Sequence, residues 1–316
     1  MDTPSPLRLI WLAFWGFGVS LAYGVCAGLA IYGIAGKADA REFLIMYISR
    51  FDMLVSTGLI VGTAFIVGAS QGVIPQAIEA TFNADELKQT DYEDQKERFS
   101  SLERTITFAT EMTILGAIVF NLCHFPLPLA GEVFLLIGGC AQWAVASYVG
   151  RKIRYASMMV HSLLKIDIQR NVFRERKLDV INASAHVATT LTVIFIYLNI
   201  RSYYYGPFLY DGFIRKSAQV FLLLPIVIAT PVLVIFNFLP RVVLRKIYDK
   251  SIEVELKDLQ VELDSEAFTP FEKRRKLMDF DKLYHDELRY NLQLTLADLP
   301  IGITVALMLI QPLLKS

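Results

Sequence analysis

The residues best placed to do chemistry in this chain are acids and hydroxyls set inside apolar segments. Glu111 lies in Phe108-Ala-Thr-Glu-Met-Thr-Ile114, a few residues into a stretch that is otherwise uncharged. An ionised carboxylate in hydrocarbon is costly unless it meets a partner or water. Thr107, Thr110 and Thr113 surround it, and Thr107 sits one helical turn earlier on the same face. That grouping suits contact with a permeating ion, a proton or a small solute. The depth is only about 8 Å at about 1.5 Å per residue. Pairing with Arg104, or with the bases between Arg151 and Arg154, is therefore the competing reading.

Three further features belong with Glu111. Asp298 precedes Leu299-Pro300, where it either converges with Glu111 as a second acid or caps the helix that follows. Pro225 and Pro231 share one apolar segment with Asn237. Each proline removes a backbone hydrogen bond, and the freed carbonyls need side chains, neighbours or water. The two readings are a plain kink filled by Thr230 and a discontinuous helix beside a path. Asp52 reads as an interfacial cap.

Other chemistries find less support. His124, His161, His186 and His285 are far apart in sequence, which disfavours a metal pair. His186 reads as an interhelical hydrogen-bond donor. Cys26, Cys123 and Cys140 sit in apolar blocks with no Cys-x-x-Cys pair, and are expected to be buried thiols. The chain lacks the glycine-rich phosphate loops, His-Glu-x-x-His and Gly-x-Ser-x-Gly. It also lacks an arginine series for voltage sensing and a carbonyl selectivity filter. The expectation is a chain that is not an enzyme and uses no cofactor or metal. Basic and acidic residues balance at 31 each, with pI ≈ 6.9, which argues against nucleic acid as a partner.

These residues need a scaffold of membrane helices. The composition is 54% hydrophobic and 20% charged, with mean hydropathy +0.44 and the charge pushed between long apolar blocks. This predicts an all-α polytopic membrane bundle. Seven spans are expected, at about 9–35, 53–74, 106–122, 133–149, 183–200, 220–239 and 299–314. The first is too long for a signal h-region and lacks a cleavage pattern, so it reads as a retained span. Pro75 and the polar residues after it should end the second.

Charge sets the expected orientation. The segment from Arg151 to Leu178 is strongly basic, and Arg241, Arg245, Lys246 and Lys250 follow the sixth span. Both should be cytoplasmic. The loop from His124 to Glu132 has no Lys or Arg and should lie outside. The N-terminus is then cytoplasmic and the C-terminus external. Asn182-Ala-Ser184 has the glycosylation pattern, but its cytoplasmic side would leave it unused. Tyr203, Tyr204 and Tyr205 suit an interfacial belt.

The organisation expected is a first membrane half, 1–150, a basic linker, 151–182, and a second membrane half, 183–316. Two cytoplasmic excursions should be helical. The first, 76–103, has capping-box patterns at Asn83–Glu86 and Thr90–Glu93. The second, 241–293, should fold back near 265–270, where Thr269-Pro-Phe-Glu272 is a strong helix start. Both follow a span ending in Ile-Pro or Leu-Pro, and laying 94–112 on 281–299 superposes Glu111 on Asp298. That predicts parallel three-span repeats. Gly16, Ser20, Gly24 and Gly28 recur every four residues on one face and predict close packing of the first two spans, with an oligomer interface as the alternative. The function expected is a channel or transporter whose path is lined by spans three, six and seven. The alternative is a membrane protein that binds a partner through its cytoplasmic helices. Membrane lipids, a second copy and a cytoplasmic protein are the partners these readings imply.

Overall fold

The computed structural model describes residues 6–49, 51–101, 106, 110, 113–114, 127–172, 177–187, 190, 194, 213–264, 269–282 and 284–285, with 213–237 described for their backbone alone. Every regular element among them is helical: α1 (Pro6–Ala35), α2 (Lys37–Ser49), α3 (Phe51–Thr81), α4 (Ala84–Lys88), α5 (Tyr92–Ser100), α6 (Leu129–Ser162), α7 (179–187), α8 (Phe213–Asp264) and α9 (270–282), with a 3-10 turn at Leu163–Lys165. Among the described residues three stretches are long and apolar enough to cross a membrane: Phe14–Ala35, Thr57–Thr81 and Leu129–Lys165.

The chain first folds as an antiparallel hairpin. Gly36 adopts φ 98°, which a side chain would resist, and reverses the direction between α1 and α2. α2 and α3 then run back along α1. A Cβ on Gly16 would stand 2.2 Å from the Gly58 carbonyl oxygen, one on Gly24 would meet the Tyr47 ring, and one on Gly28 would meet Leu44. Between them, the Ser20 hydroxyl donates to the Leu54 carbonyl at 3.2 Å. The four-residue stripe therefore packs within the chain, as its spacing predicts. The other side of α1 presents Trp11, Trp15, Val25 and Ile34, all exposed, as hydrocarbon-facing residues would be. Cys26 is exposed on α1 too, against the expectation of a buried thiol; an apolar residue in a spanning helix is satisfied by lipid as well as by protein. Cys140 is half-buried on α6, and Cys123 lies outside the described residues.

α6 lies parallel to α3. Ile60 and Val67 pack with Val149 and Ile153, and Leu135 packs at the α2 level with Phe43 and Leu54. Tyr23 of α1 donates to the Phe134 carbonyl. Beyond the bundle, the ends of α3 and α6 gather α4, α5, residues 166–172 and 177–181, and the middle of α8 into a compact head. Its core includes Ile78, Phe82, Tyr92, Phe99, Met159, Leu163, Ile168, Leu178, Leu244 and Tyr248. Each such side chain taken from water contributes about 1.5–3 kcal/mol.

The head corrects several boundaries. Pro75 does not end α3, which runs on to Thr81. The single lost backbone donor is outweighed by burial of Ile74, Ala77 and Ile78 on the same turns. Asn83 begins α4 as expected, its N–H donating to Glu86 at 2.5 Å. The box at Thr90 does not form. Asp91 caps α5 instead, while the Thr90 hydroxyl donates to the Leu87 carbonyl and accepts the Tyr92 N–H at 3.1 Å. The box at Thr269 is present: its N–H donates to Glu272 at 2.9 Å and its hydroxyl accepts the Glu272 N–H.

α8 is one continuous helix of 52 residues, about 78 Å long at about 1.5 Å per residue. It runs through positions 225 and 231, so a break at those prolines is not found. It also runs through 252–263, where alternating charge left room for a strand. α9 returns along its end, with Lys276 paired to Glu262 and Lys273 donating to the Leu263 carbonyl at 2.5 Å. Phe280 brings the return helix back against the head core. α9 and the end of α8 form an arm. The expected seventh span, the aromatic run at 203–205 and most of the fifth span lie outside the described residues.

Candidate functional site

The site is built where the head meets the bundle, and its main devices are basic side chains placed at helix ends. A helix leaves its last carbonyls without intrahelical donors and carries partial negative charge there. Lys152, on α6, is 1% exposed, and its Nζ donates to the carbonyls of Phe99 and, at 3.3 Å, Ser101. It thus closes the end of α5 across 53 residues of chain. Its ammonium also lies 5.7 Å from the Phe99 ring centre and 5.8 Å from that of Tyr148, within cation–π range. Arg170 and Lys177 do the same for α3, donating to the carbonyls of Thr81 and Ala80. All three belong to the basic segment 151–178 that orientation arguments use.

A second group holds α7 to α8. The Arg241 guanidinium lies 2.7 Å from His186 Nδ1 and 5.7 Å from the centre of the Phe238 ring. Arginine has only donors, so His186 accepts here, the reverse of the donor role expected of it. Tyr248 donates to Asp179 at 3.0 Å, and Asn171 donates to Glu255. Asn182 and Ser184, on α7, are buried, which places the glycosylation pattern inside the protein. Lys152, Ser184 and Pro240 share a largely apolar cavity of ≈ 40 Å³ with Ile66, Val67 and Phe99. That volume suits water and no larger solute.

A third group faces Glu79. The buried Tyr92 hydroxyl donates to the Glu79 carboxylate at 3.1 Å and lies 3.4 Å from the Pro75 carbonyl. Burial, and then the charge of Glu79, push the phenol well above its ordinary value. Lys96 pairs with Glu79 at 2.5 Å, and that hydrogen bond raises the ammonium's pKa.

The residues singled out by sequence are not brought together among the described residues. Thr110 is helical and exposed, its hydroxyl donating back to the Ile106 carbonyl at 2.9 Å. Thr113 is helical and half-buried. Glu111, Thr107 and Asp298 lie outside the described residues. Pro225, Pro231 and Asn237 lie along the backbone of α8. Lys152 and Tyr92 are the residues that sequence reasoning passed over. The only signal for either was indirect: Lys152 sits at the seam between an apolar span and a basic run. No family model, curated protein or solved structure matches this chain, so its reading rests on these contacts.

Proposed function

We propose that the chain is a non-enzymatic integral membrane protein that holds a rigid cytoplasmic head and presents the α8–α9 arm to a protein partner. The observation that carries this reading is the arm's surface. Phe271 and Met278 lie seven residues apart on one face of α9, and Leu277 and Tyr284 form a second such pair about 100° further round the helix. Phe271 is 76% exposed and Met278 66%, and Val261 on α8 is 73% exposed. Several large apolar side chains exposed on a water-facing arm make a surface suited to being covered. The basic segment and the bases after Pro240 support a cytoplasmic location for head and arm. A photo-crosslinker at Leu277, in the full chain in its own membrane, should give one discrete heavier adduct. Phe271→Ser with Met278→Ser should abolish that adduct without lowering the melting temperature by more than a few degrees, because these side chains are exposed. Adducts with lipid alone, or none, would contradict the reading. An adduct of the chain with itself would make the partner a second copy.

One contact favours transport as a second reading. Lys152 holds Ser101, the residue after α5, and Glu111 follows ten positions later in the sequence, next to the helical Thr110. A movement of the head would be passed to that acid. The path would be lined by the third, sixth and seventh spans, with Glu111, Thr107, Thr110, Asn237 and Asp298 facing it and Pro225 and Pro231 shaping it. Glu111→Gln nearly conserves volume and removes the charge. On this reading it should alter flux, or the pH dependence of flux, in reconstituted protein that melts normally. Lowered stability with flux per folded molecule unchanged would make Glu111 a structural ion-pair partner.

A further inference from the structure

The hairpin end of α1 and α2 encloses a groove of about 700 Å³ that the functional reading does not use. Its walls are two helical stripes. α1 supplies Leu29 and Tyr32, and α2 supplies Lys37, Arg41, Ile45 and Ile48. On α2 the stripe is graded: the two cations stand one turn apart at the Gly36 end, and the two isoleucines follow toward the bundle. Ile45 and Ile48 are 57% and 62% exposed, and Leu29 is 67% exposed. Among the described residues no carboxylate pairs with Lys37 or Arg41, and the groove's lining comes from α1 and α2 only. From Lys37 to Ile48 the stripe is about 16 Å long at about 1.5 Å per residue.

We propose that this groove holds one phospholipid of net negative charge, its phosphate on Lys37 and Arg41 and an acyl chain along Ile45, Ile48 and Leu29. The proposal rests on the membrane reading of α1 and α3. A free anion would use the cations and leave the apolar wall in water. A plain acyl chain would use the wall and leave the cations unmatched. A lipid satisfies both in the order in which the groove presents them. Long basic side chains at the end of a spanning hairpin also reach readily to the phosphate level. Charge-assisted contacts to a phosphate are among the stronger hydrogen bonds, so loss of both cations should weaken retention by about tenfold or more.

The test uses the full chain in detergent, with phosphatidylglycerol or phosphatidylcholine added and bound lipid counted by native mass spectrometry. Wild type should keep one phosphatidylglycerol through washing and release phosphatidylcholine. Lys37→Gln with Arg41→Gln should lose that preference about tenfold, and Lys273→Gln with Arg274→Gln on the distant arm should keep it. Phosphatidylglycerol carrying a diazirine on its acyl chain should label the peptide containing Ile45 and Ile48 in the wild-type protein, a result that needs no variant to fold. Equal retention of both lipids, an unaltered preference in the Lys37/Arg41 variant, labelling elsewhere only, or a protein helix found in the groove would each overturn the proposal. Release of the whole chain from membranes by alkaline carbonate would overturn the membrane reading as well. A chain that stays in the membrane yet shows no lipid preference overturns the groove alone.

Discussion

Tyr92 gives the residue scale its clearest consequence. Its side chain is fully buried, and its hydroxyl donates to Glu79 beside the charged Lys96. The folded phenol resists ionisation above its ordinary value of 10.0 because burial, and then the Glu79 charge, disfavour the anion. The folded pKa is raised, so this contribution to stability is complete below pH 10 and is lost as pH rises from that value toward the folded one. Lys96, raised mainly by its hydrogen bond to Glu79, acts in the same direction above its ordinary 10.5. The head should therefore melt at progressively lower temperature above about pH 10. Tyr92→Phe should cost about 1 kcal/mol at neutral pH through the lost hydrogen bond and should flatten that alkaline fall. Thermal melting followed from neutral to strongly alkaline pH checks both, and an identical alkaline slope in the variant would count against this account. None of this was legible from sequence, where Tyr92 stands in a charged stretch with nothing to mark it. Lys152 was hidden for the same reason. Its residue type reads as solvated, and only a partner 53 positions away, the end of α5, makes burying it tolerable.

At the scale of elements, periodic signals carried and single punctuating residues did not. The small-residue stripe of α1 was legible because a four-residue period maps onto one helix face whatever the partner. The contact at Gly16 makes it testable. Even a methyl group there must move the Gly58–Gly62 backbone, whereas a Cβ on Gly18 meets nothing within 4 Å. Gly16→Ala should therefore destabilise the bundle by about 1–3 kcal/mol, while Gly18→Ala should be neutral or stabilise by up to about 1 kcal/mol through helix propensity. Thermal unfolding of both in one detergent distinguishes them, and equal melting would refute the close approach. Proline was the misleading sign. Pro75, read as a stop, lies within α3, where the lost backbone donor is small against the burial of Ile74, Ala77 and Ile78, and 225 and 231 lie within one unbroken α8. The Thr90 box failed more narrowly, because two cap residues stood side by side and Asp91 took the position.

At the scale of the molecule, the account depends on which side of the membrane each part occupies. The parallel course of α3 and α6 puts their C-terminal ends together, and the head is assembled on those ends. The Gly36 turn then stands at the opposite end of the hairpin. The same basic residues serve two purposes: Lys152, Arg170 and Lys177 close helix ends in the head, and their number predicts a cytoplasmic location. The distribution of charge along the chain suggests the second purpose, and only the fold reveals the first. On the proposed membrane reading, head and arm share a compartment, across the membrane from Gly36. Single cysteines at Lys37, Gln169 and Met278, in a chain whose three native cysteines are replaced by serine, would test this directly with an impermeant thiol reagent on intact cells. The account predicts labelling at Lys37→Cys in intact cells, and at Gln169→Cys and Met278→Cys only after permeabilisation. Labelling of Gln169→Cys or Met278→Cys in intact cells, or of all three alike, would contradict it.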